Sequence, residues 1–526
     1  MKKMDQNAIN QQHDSLKLEK AYTFFMVPFY YDDDDWKIIH KERLNKWIPI
    51  SSELYKEDVL YPYIMDLFKH ESPSQKARLN IYEFKSEDKG VNSQLFVERV
   101  LGKKSIALIG KNAEEKQCPM MIEFRLMNEG NFAPHLFISP TAKIGIFTFS
   151  IELLGDKSLE DLNALNYYLH KRNELDKYQC ICFRPDKQKG TNFEIDKDSI
   201  NSQIPNLWKL NQWNTRKNVD FVCWNLNDFV DCLLATMGLS KEGQKRIKYF
   251  SKYRMHLFTF CSMEDNDDNL KKEDITRSLL QLSRCINKKH VLPLEQLVQQ
   301  EAILQTYENI YFSSSIEGTA MLCIANNINS KFIKQIHARF NRQYLLIYLL
   351  VLIQRYTLQS IERKISEIES TDKQSDEDLW DLLDVICRVK VNCYYTDVSV
   401  YTHHSQFYQH CCKNLHIPET FKEISEKTEL IKLTTDRHIK ELMEAQSKIH
   451  EEELESAERR QHILNWIVAI LTIAQVMQAA YELLKPEWDK DMSSIWISLG
   501  IGAIFAVLLF LLMWKDIKDF FSKLFK

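Results

Sequence analysis

Glycine is scarce in this chain, at 12 of 526 residues, and proline is no commoner at 12. An average chain carries about 7% glycine, so glycine-rich phosphate loops have few places to lie. No G-x-x-x-x-G-K-[ST] and no G-x-G-x-x-G occurs, and Gly102-Lys103-Lys104-Ser105 lacks the upstream glycine of a P-loop. G-x-S-x-G and H-E-x-x-H are missing too. No nucleophile–base pair or metal-ligand spacing is legible, so the chain is not expected to be an enzyme or to hold a structural metal. The 12 cysteines include no C-x-x-C pair, which points to a reducing compartment and not to a disulfide framework. No charge of one sign dominates: 69 Lys and Arg face 73 Asp and Glu, for a net charge of −4. Direct nucleic-acid binding is therefore not expected. Residues 1–20 are polar, without the apolar stretch of a secretory signal, and are read as a tail.

Against these absences stand two long apolar runs, Ile463 to Leu484 and Ile495 to Trp514. Each is about 20 residues, enough to cross roughly 30 Å of hydrocarbon. The second run is uncharged, and the first carries only Glu482, near its end. Pro486 lies in the charged connection between them, and Trp466, Trp488, Trp496 and Trp514 sit where an aromatic belt is expected. Arg459 and Arg460 precede the first span, and Lys515, Lys518, Lys523 and Lys526 lie in the basic tail 515–526. The positive-inside rule then puts both termini in the cytoplasm of a cell whose inner membrane holds the hairpin.

Asn465, Thr472, Gln475, Gln478 and Glu482 fall within an arc of about 140° on the first span. Polar groups facing lipid are costly, so this stripe is expected to face protein or water. Two readings follow: an aqueous lining shared by an oligomer, or interhelical hydrogen bonding that holds a bundle together. Ser498, Gly502 and Ala506 give the second span a small-residue ridge for a neighbouring helix.

Residues 329–462 read as a helical stalk. From Thr420 to Leu484 no proline or glycine interrupts a pattern able to form one helix of about 95 Å. Ile424, Ile431, Leu442 and Ile449 form a thin near-heptad stripe along it. Lys331 to Ile365 is a second helix, and its run Tyr344–Ile353 is too short to span a bilayer and reads as buried core. A third helix is expected over Glu377 to Leu415. Its His403, His404, His410, Cys411 and Cys412 match no standard zinc spacing and read as a packed cluster.

Residues 21–328 alternate β-branched and aromatic runs with helical stretches, as expected of an α/β or α+β domain. Strands are expected over Thr23–Tyr31, Ser105–Ile109, Met120–Leu126, Leu136–Ser139, Lys143–Leu153, Gln179–Arg184, His256–Cys261, Tyr307–Ser313 and Ala320–Ala325. Ser158 is placed to cap a helix reaching Leu175, with Asp161 at its third position. That helix carries Asn166, Lys171 and Arg172, which with Arg184 form the candidate ligand-binding set. A second basic cluster, Ser240 to Arg254, holds six cations and one Glu. Both clusters have the chemistry to hold phosphate.

An α/β domain, a stalk helix, two terminal spans and a short outer loop together resemble the CorA family of divalent-cation channels. That resemblance implies a pentamer whose first span lines the pore. The family's Gly-Met-Asn after the first span is absent: Tyr481 is followed by Glu482, Leu483 and Leu484. IGIFTFSIELLGDKSLEDLNALNYYLHKRNE, ENIYFSSSIEGTAML and ARFNRQYLLIYLLVLIQRYTLQSI look similar to a divergent branch, the CorA-like membrane effectors associated with type III CRISPR systems. This implies an S-adenosylmethionine–AMP conjugate as ligand, with Lys171 and Arg172 at its phosphate, and a membrane channel or disruptor in antiviral defence. A divalent-cation channel and a membrane-tethered scaffold without a pore are the alternative expectations.

Overall fold

The computed structural model describes residues 17–31, 47–50, 59–65, 67, 79–84, 104–109, 120–140, 142–170, 179–183, 222–225, 248–251, 254–264, 272–286, 303–325, 330–369, 383, 386–387 and 395–484, with isolated positions beyond 495. It divides into two units, Met1–Thr428 and Glu429–Lys526.

The first unit is built on a mixed sheet. Its strands are β1 (Leu18–Tyr30), β2 (Trp47–Pro49), β3 (Asn80–Phe84), β4 (Lys104–Ile109), β5 (Met120–Leu126), β6 (His135–Ser139) and β7 (Ile144–Leu153). There follow β8 (Gln179–Phe183), β9 (Val222–Asn225), β10 (Lys248–Tyr249), β11 (His256–Glu264), β12 (Ile303–Tyr307), β13 (Ile310–Ser314) and β14 (Gly318–Ala325). The helices are α1 (Pro62–Met65), α2 (Leu159–Leu169), α3 (Lys272–Ser283), α4 (Ser330–Arg339), α5 (Leu345–Glu369), α6 (Thr402–Asn414) and α7 (Ile417–Leu484). The main path of the sheet runs β12-β13-β14-β11-β1-β7-β5-β4-β8-β9. Only β11 and β14 pair in parallel, with Leu257 opposite Gly318; the other described pairs are antiparallel.

β1 is central, and its run LEKAYTFFMVPFY is apolar on both faces because both are covered. Phe25, Val27 and Phe29 join Leu162, Leu165, Leu279 and Leu282 in the core on the α2 and α3 side. On the other face Tyr22 and Phe258 pack on Phe340, and Phe258 stacks on Tyr348 of α5. Pro28 falls where it does least harm. Pairing with β11 stops at Met26 and pairing with β10 starts at Phe29, so the missing N–H coincides with a gap in the ladder.

Two helices are long and apolar enough to cross a membrane, Lys331–Ser366 and Ile439–Ala479. Their surroundings separate them. The first is mostly buried and is the core helix expected over Lys331–Ile365, interrupted by a π-helical turn at Phe340–Tyr344. Residues 330–428 fall in the first unit. None of the apolar window of the second is buried among the described residues, and it lies in α7, which runs unbroken for 68 residues.

Two elements differ from expectation. Tyr307–Ser313 is not one strand but the hairpin β12–β13, turning at Glu308–Asn309. The helix expected over Glu377 to Leu415 is helical at its described positions Leu383, Ile386 and Cys387, is interrupted at the described residues 395–401, and resumes at Thr402. Ahead of it Leu60 bridges Ser399, the Tyr61 N–H donates to Val398 O at 3.1 Å, and Ser399 Oγ donates to Val59 O at 2.5 Å. These bonds draw the β-branched segment before α6 into an extended path.

Candidate functional site

α2 carries one of the expected ligand residues and leads into two more. Its start is fixed by a reciprocal cap: the Asp161 N–H donates to Ser158 Oγ at 3.1 Å and the Ser158 N–H to Asp161 Oδ2 at 3.3 Å. The described helix ends at Leu169, with His170 as its cap, so the expected end at Leu175 lies outside the described residues.

Asn166 is fully buried. Thr23 Oγ1 donates to its Oδ1 at 2.9 Å, its Nδ2 donates to Thr259 Oγ1 at 3.0 Å, and the two hydroxyls lie 3.2 Å apart. The amide thus closes a three-membered polar ring with β1 and β11 beneath the helix. Its side chain is spent in positioning α2 on the sheet. Lys171, Arg172 and Arg184 lie outside the described residues.

The end of α2 meets the second basic cluster. The Met255 N–H donates to His170 O at 2.9 Å, so Arg254, which is exposed, sits one residue from the end of the helix that leads into Lys171 and Arg172. Further cations collect beside the same strand segment. Lys248 Nζ lies 5.8 Å from the centre of the Tyr30 ring, and the Arg363 guanidinium of α5 lies 4.1 Å from it. Phe250 packs on Tyr30 at 5.2 Å and on Tyr356 at 4.6 Å. The sequence reading held the two basic clusters apart and missed Arg363. No local pattern joins residues 170 and 255, because only the sheet order does so.

The five polar residues of the first span, Asn465, Thr472, Gln475, Gln478 and Glu482, are all exposed on α7. Thr472 Oγ1 donates back to Val468 O at 2.7 Å, which satisfies its hydroxyl within the helix. The second span, 495–514, and the connection before it lie almost entirely outside the described residues.

The histidine cluster of α6 is packed. His403 and His404 have ring centres 4.1 Å apart, and Tyr307 Oη lies 3.3 Å from His403 Nδ1. Burial holds His404 near 3 and His410 near 4, with His403 and Arg339 adding to the fall at His404 and Lys413 at His410. Among the described residues no group of three or more His, Cys, Asp and Glu is placed to hold a metal. Comparison of the chain with protein-family models, with curated proteins and with solved structures gives no match.

Proposed function

We propose that the chain is an oligomeric protein of the inner membrane, CorA-like in its order of parts. Its cytoplasmic sheet unit binds a nucleotide second messenger, an S-adenosylmethionine–AMP conjugate, and its paired spans then breach the membrane in antiviral defence. The observation that carries this reading is the exposure of Ile439–Ala479. An apolar stretch of that length left uncovered by the described residues of its own chain is stable in lipid and not in water. The meeting of the α2 end with Arg254 supports a phosphate site in which Lys171, Arg172 and Arg184 act together with the second cluster. In the conducting state the stripe from Asn465 to Glu482 faces the water-filled path, out of contact with lipid. The assembly is a homo-oligomer, a pentamer by the family resemblance. A ligand that opens it must bind the open state more tightly than the closed one.

The test is binding of the adenylated conjugate to the detergent-solubilised full chain by calorimetry, followed by ion flux from proteoliposomes. Lys171→Ala/Arg172→Ala and Arg254→Ala are each expected to weaken binding by about tenfold or more, the loss of roughly 1.4 kcal/mol from a charge-assisted contact. Flux is expected only with the conjugate. Divalent-cation flux in its absence selects the constitutive channel, and binding without any flux selects the tethered scaffold.

A further inference from the structure

The stalk stripe and the apolar face of the first span keep one register. Leu442, Ile449, Ile463, Ile470, Met477 and Leu484 are all separated by multiples of seven, with Ser456 the one polar member of the series. Three positions after each of these come Ala445, Trp466, Ile473 and Ala480, with Glu452 and Arg459 in the two repeats between Ala445 and Trp466. Together these are the a and d positions of a heptad pattern that crosses from the polar part of α7 into its apolar part without a phase break. Leu442, Ile449, Ile463, Ile470 and Met477 are exposed in the single chain, from 49% at Leu442 to 65% at Met477, and Trp466 and Ile473 are half-exposed.

The remaining positions agree with this register. Asn465 and Thr472 fall at c, Gln475 and Glu482 at f, and Gln478 at b. The polar stripe therefore occupies the outer side of such a coil. At the flanking positions, Lys448 at g would meet Glu453 at e of a parallel neighbour, and Glu455 at g would meet Arg460 at e. No g–e pair from Thr434 to Arg460 brings like charges together. Spans inserted in one orientation can only pack in parallel. Glu452, Ser456 and Arg459 interrupt the seam with three consecutive polar layers, which weaken association and fix its register, since a slip of one heptad sets a charge against an apolar layer. A strict seven-residue repeat drifts about 20° per heptad on a straight helix, so the seam closes only if the helices wind into a left-handed supercoil.

We infer that the partner of this face is a second copy of the same chain: resting protomers pack in parallel through a/d layers that keep one register from Leu442 to Met477, apolar on both sides of the polar break at Glu452, Ser456 and Arg459. The inference rests on the membrane reading above and adds a direction to it. In the resting assembly the polar stripe is turned outward, toward the second spans, and reaches the shared axis only when each helix rotates by about half a turn.

Cysteine cross-linking of the full chain in native membranes, with a short bis-maleimide and no ligand, tests the seam. The unsubstituted chain measures the background from its own 12 cysteines. Leu442→Cys, Ile449→Cys and Ile470→Cys are expected to give covalent dimers several-fold above that background. Ser447→Cys and Gln475→Cys, both at f, are expected to stay at it. Dimers at the f positions in place of the seam, or at none of the five, overturn the inference. Because a core change can disturb folding, an exposed pair gives a second measurement. Lys448→Glu should lower the oligomer fraction seen by native mass spectrometry, and Glu453→Lys added to it should restore that fraction. Failure of the reversal to restore it counts against the register. Glu455 is less suited to the swap, since it already reaches Arg459 of its own helix at 3.4 Å. Seam cross-links without conjugate-driven flux leave the seam standing and remove the ligand-gated reading. Gated flux with cross-links on the stripe alone does the reverse.

Discussion

Asn166 shows how a polar residue can be recognised as important for a reason that only the fold supplies. It sits on a helix among Asn163, Lys171 and Arg172, which in sequence reads as a ligand face. In the folded chain its amide is fully buried and pairs with hydroxyls of two strands, 143 and 93 residues away. Replacing it with alanine leaves the Thr23 hydroxyl without its acceptor and opens a small void. Asn166→Ala is therefore expected to cost about 2 kcal/mol of stability, the penalty for stranding a buried donor. Denaturant unfolding of the full chain in detergent, followed by tryptophan fluorescence, reads this directly. If the conjugate still binds the folded variant with near-native affinity, the residue acts through α2 and not by contact. The polar character of the site was legible in the sequence. The direction in which the amide points was not, because it depends on β1 and β11 lying side by side.

At the scale of elements, local chemistry predicted well and long-range pairing poorly. Met120–Leu126 was expected and found with the same ends, and the Ser158–Asp161 cap was legible because it needs only four consecutive residues. Ser158→Ala should cost about 1 kcal/mol, measured as a lower denaturation midpoint, while Ser158→Asp, which keeps the acceptor, should cost little. The short strands β2, β3, β9 and β10 escaped notice. β10 is only two residues, Lys248 and Tyr249, and exists because β1 offers it an edge at Phe29 and Tyr30. The helix expected from Glu377 is broken before Thr402 for a related reason: bonds from Val59 and Tyr61, over 300 residues away, hold Val398 and Ser399 extended. The run Tyr344–Ile353 was read as core because it is too short to span a bilayer, although the π turn at Phe340–Tyr344 carries no sequence signal. There the freed Asn341 carbonyl accepts from Asn131 Nδ2 at 3.2 Å, another contact that only the fold reveals.

At the scale of the whole molecule, the first unit stores an acid sensitivity that no single element shows. Burial holds His135 near 4, His256 near 3, His337 near 4, His404 near 3 and His410 near 4, with Arg355 adding to the fall at His256 and Lys20 at His337. All five lie within Met1–Thr428. Each is neutral in the folded chain at pH 5 and binds a proton once unfolded, where an ordinary histidine titrates near 6.5. The unfolded state therefore holds more protons between these limits. Stability is complete above about pH 6.5 and falls as the pH is lowered toward the depressed folded values, by at most about 1.4 kcal/mol per pH unit for each histidine. Denaturation midpoints of the full chain in detergent should drop steadily from pH 7 to pH 5, a window above the range where unperturbed carboxylates take up protons. His256→Gln should flatten that slope by about one proton's share, although it also loses the bond to Tyr356 and starts from a lower midpoint. A midpoint that stays level or rises on acidification shows that these imidazoles are charged in the folded state, and the packing assigned to β6, β11 and α6 would then need revision.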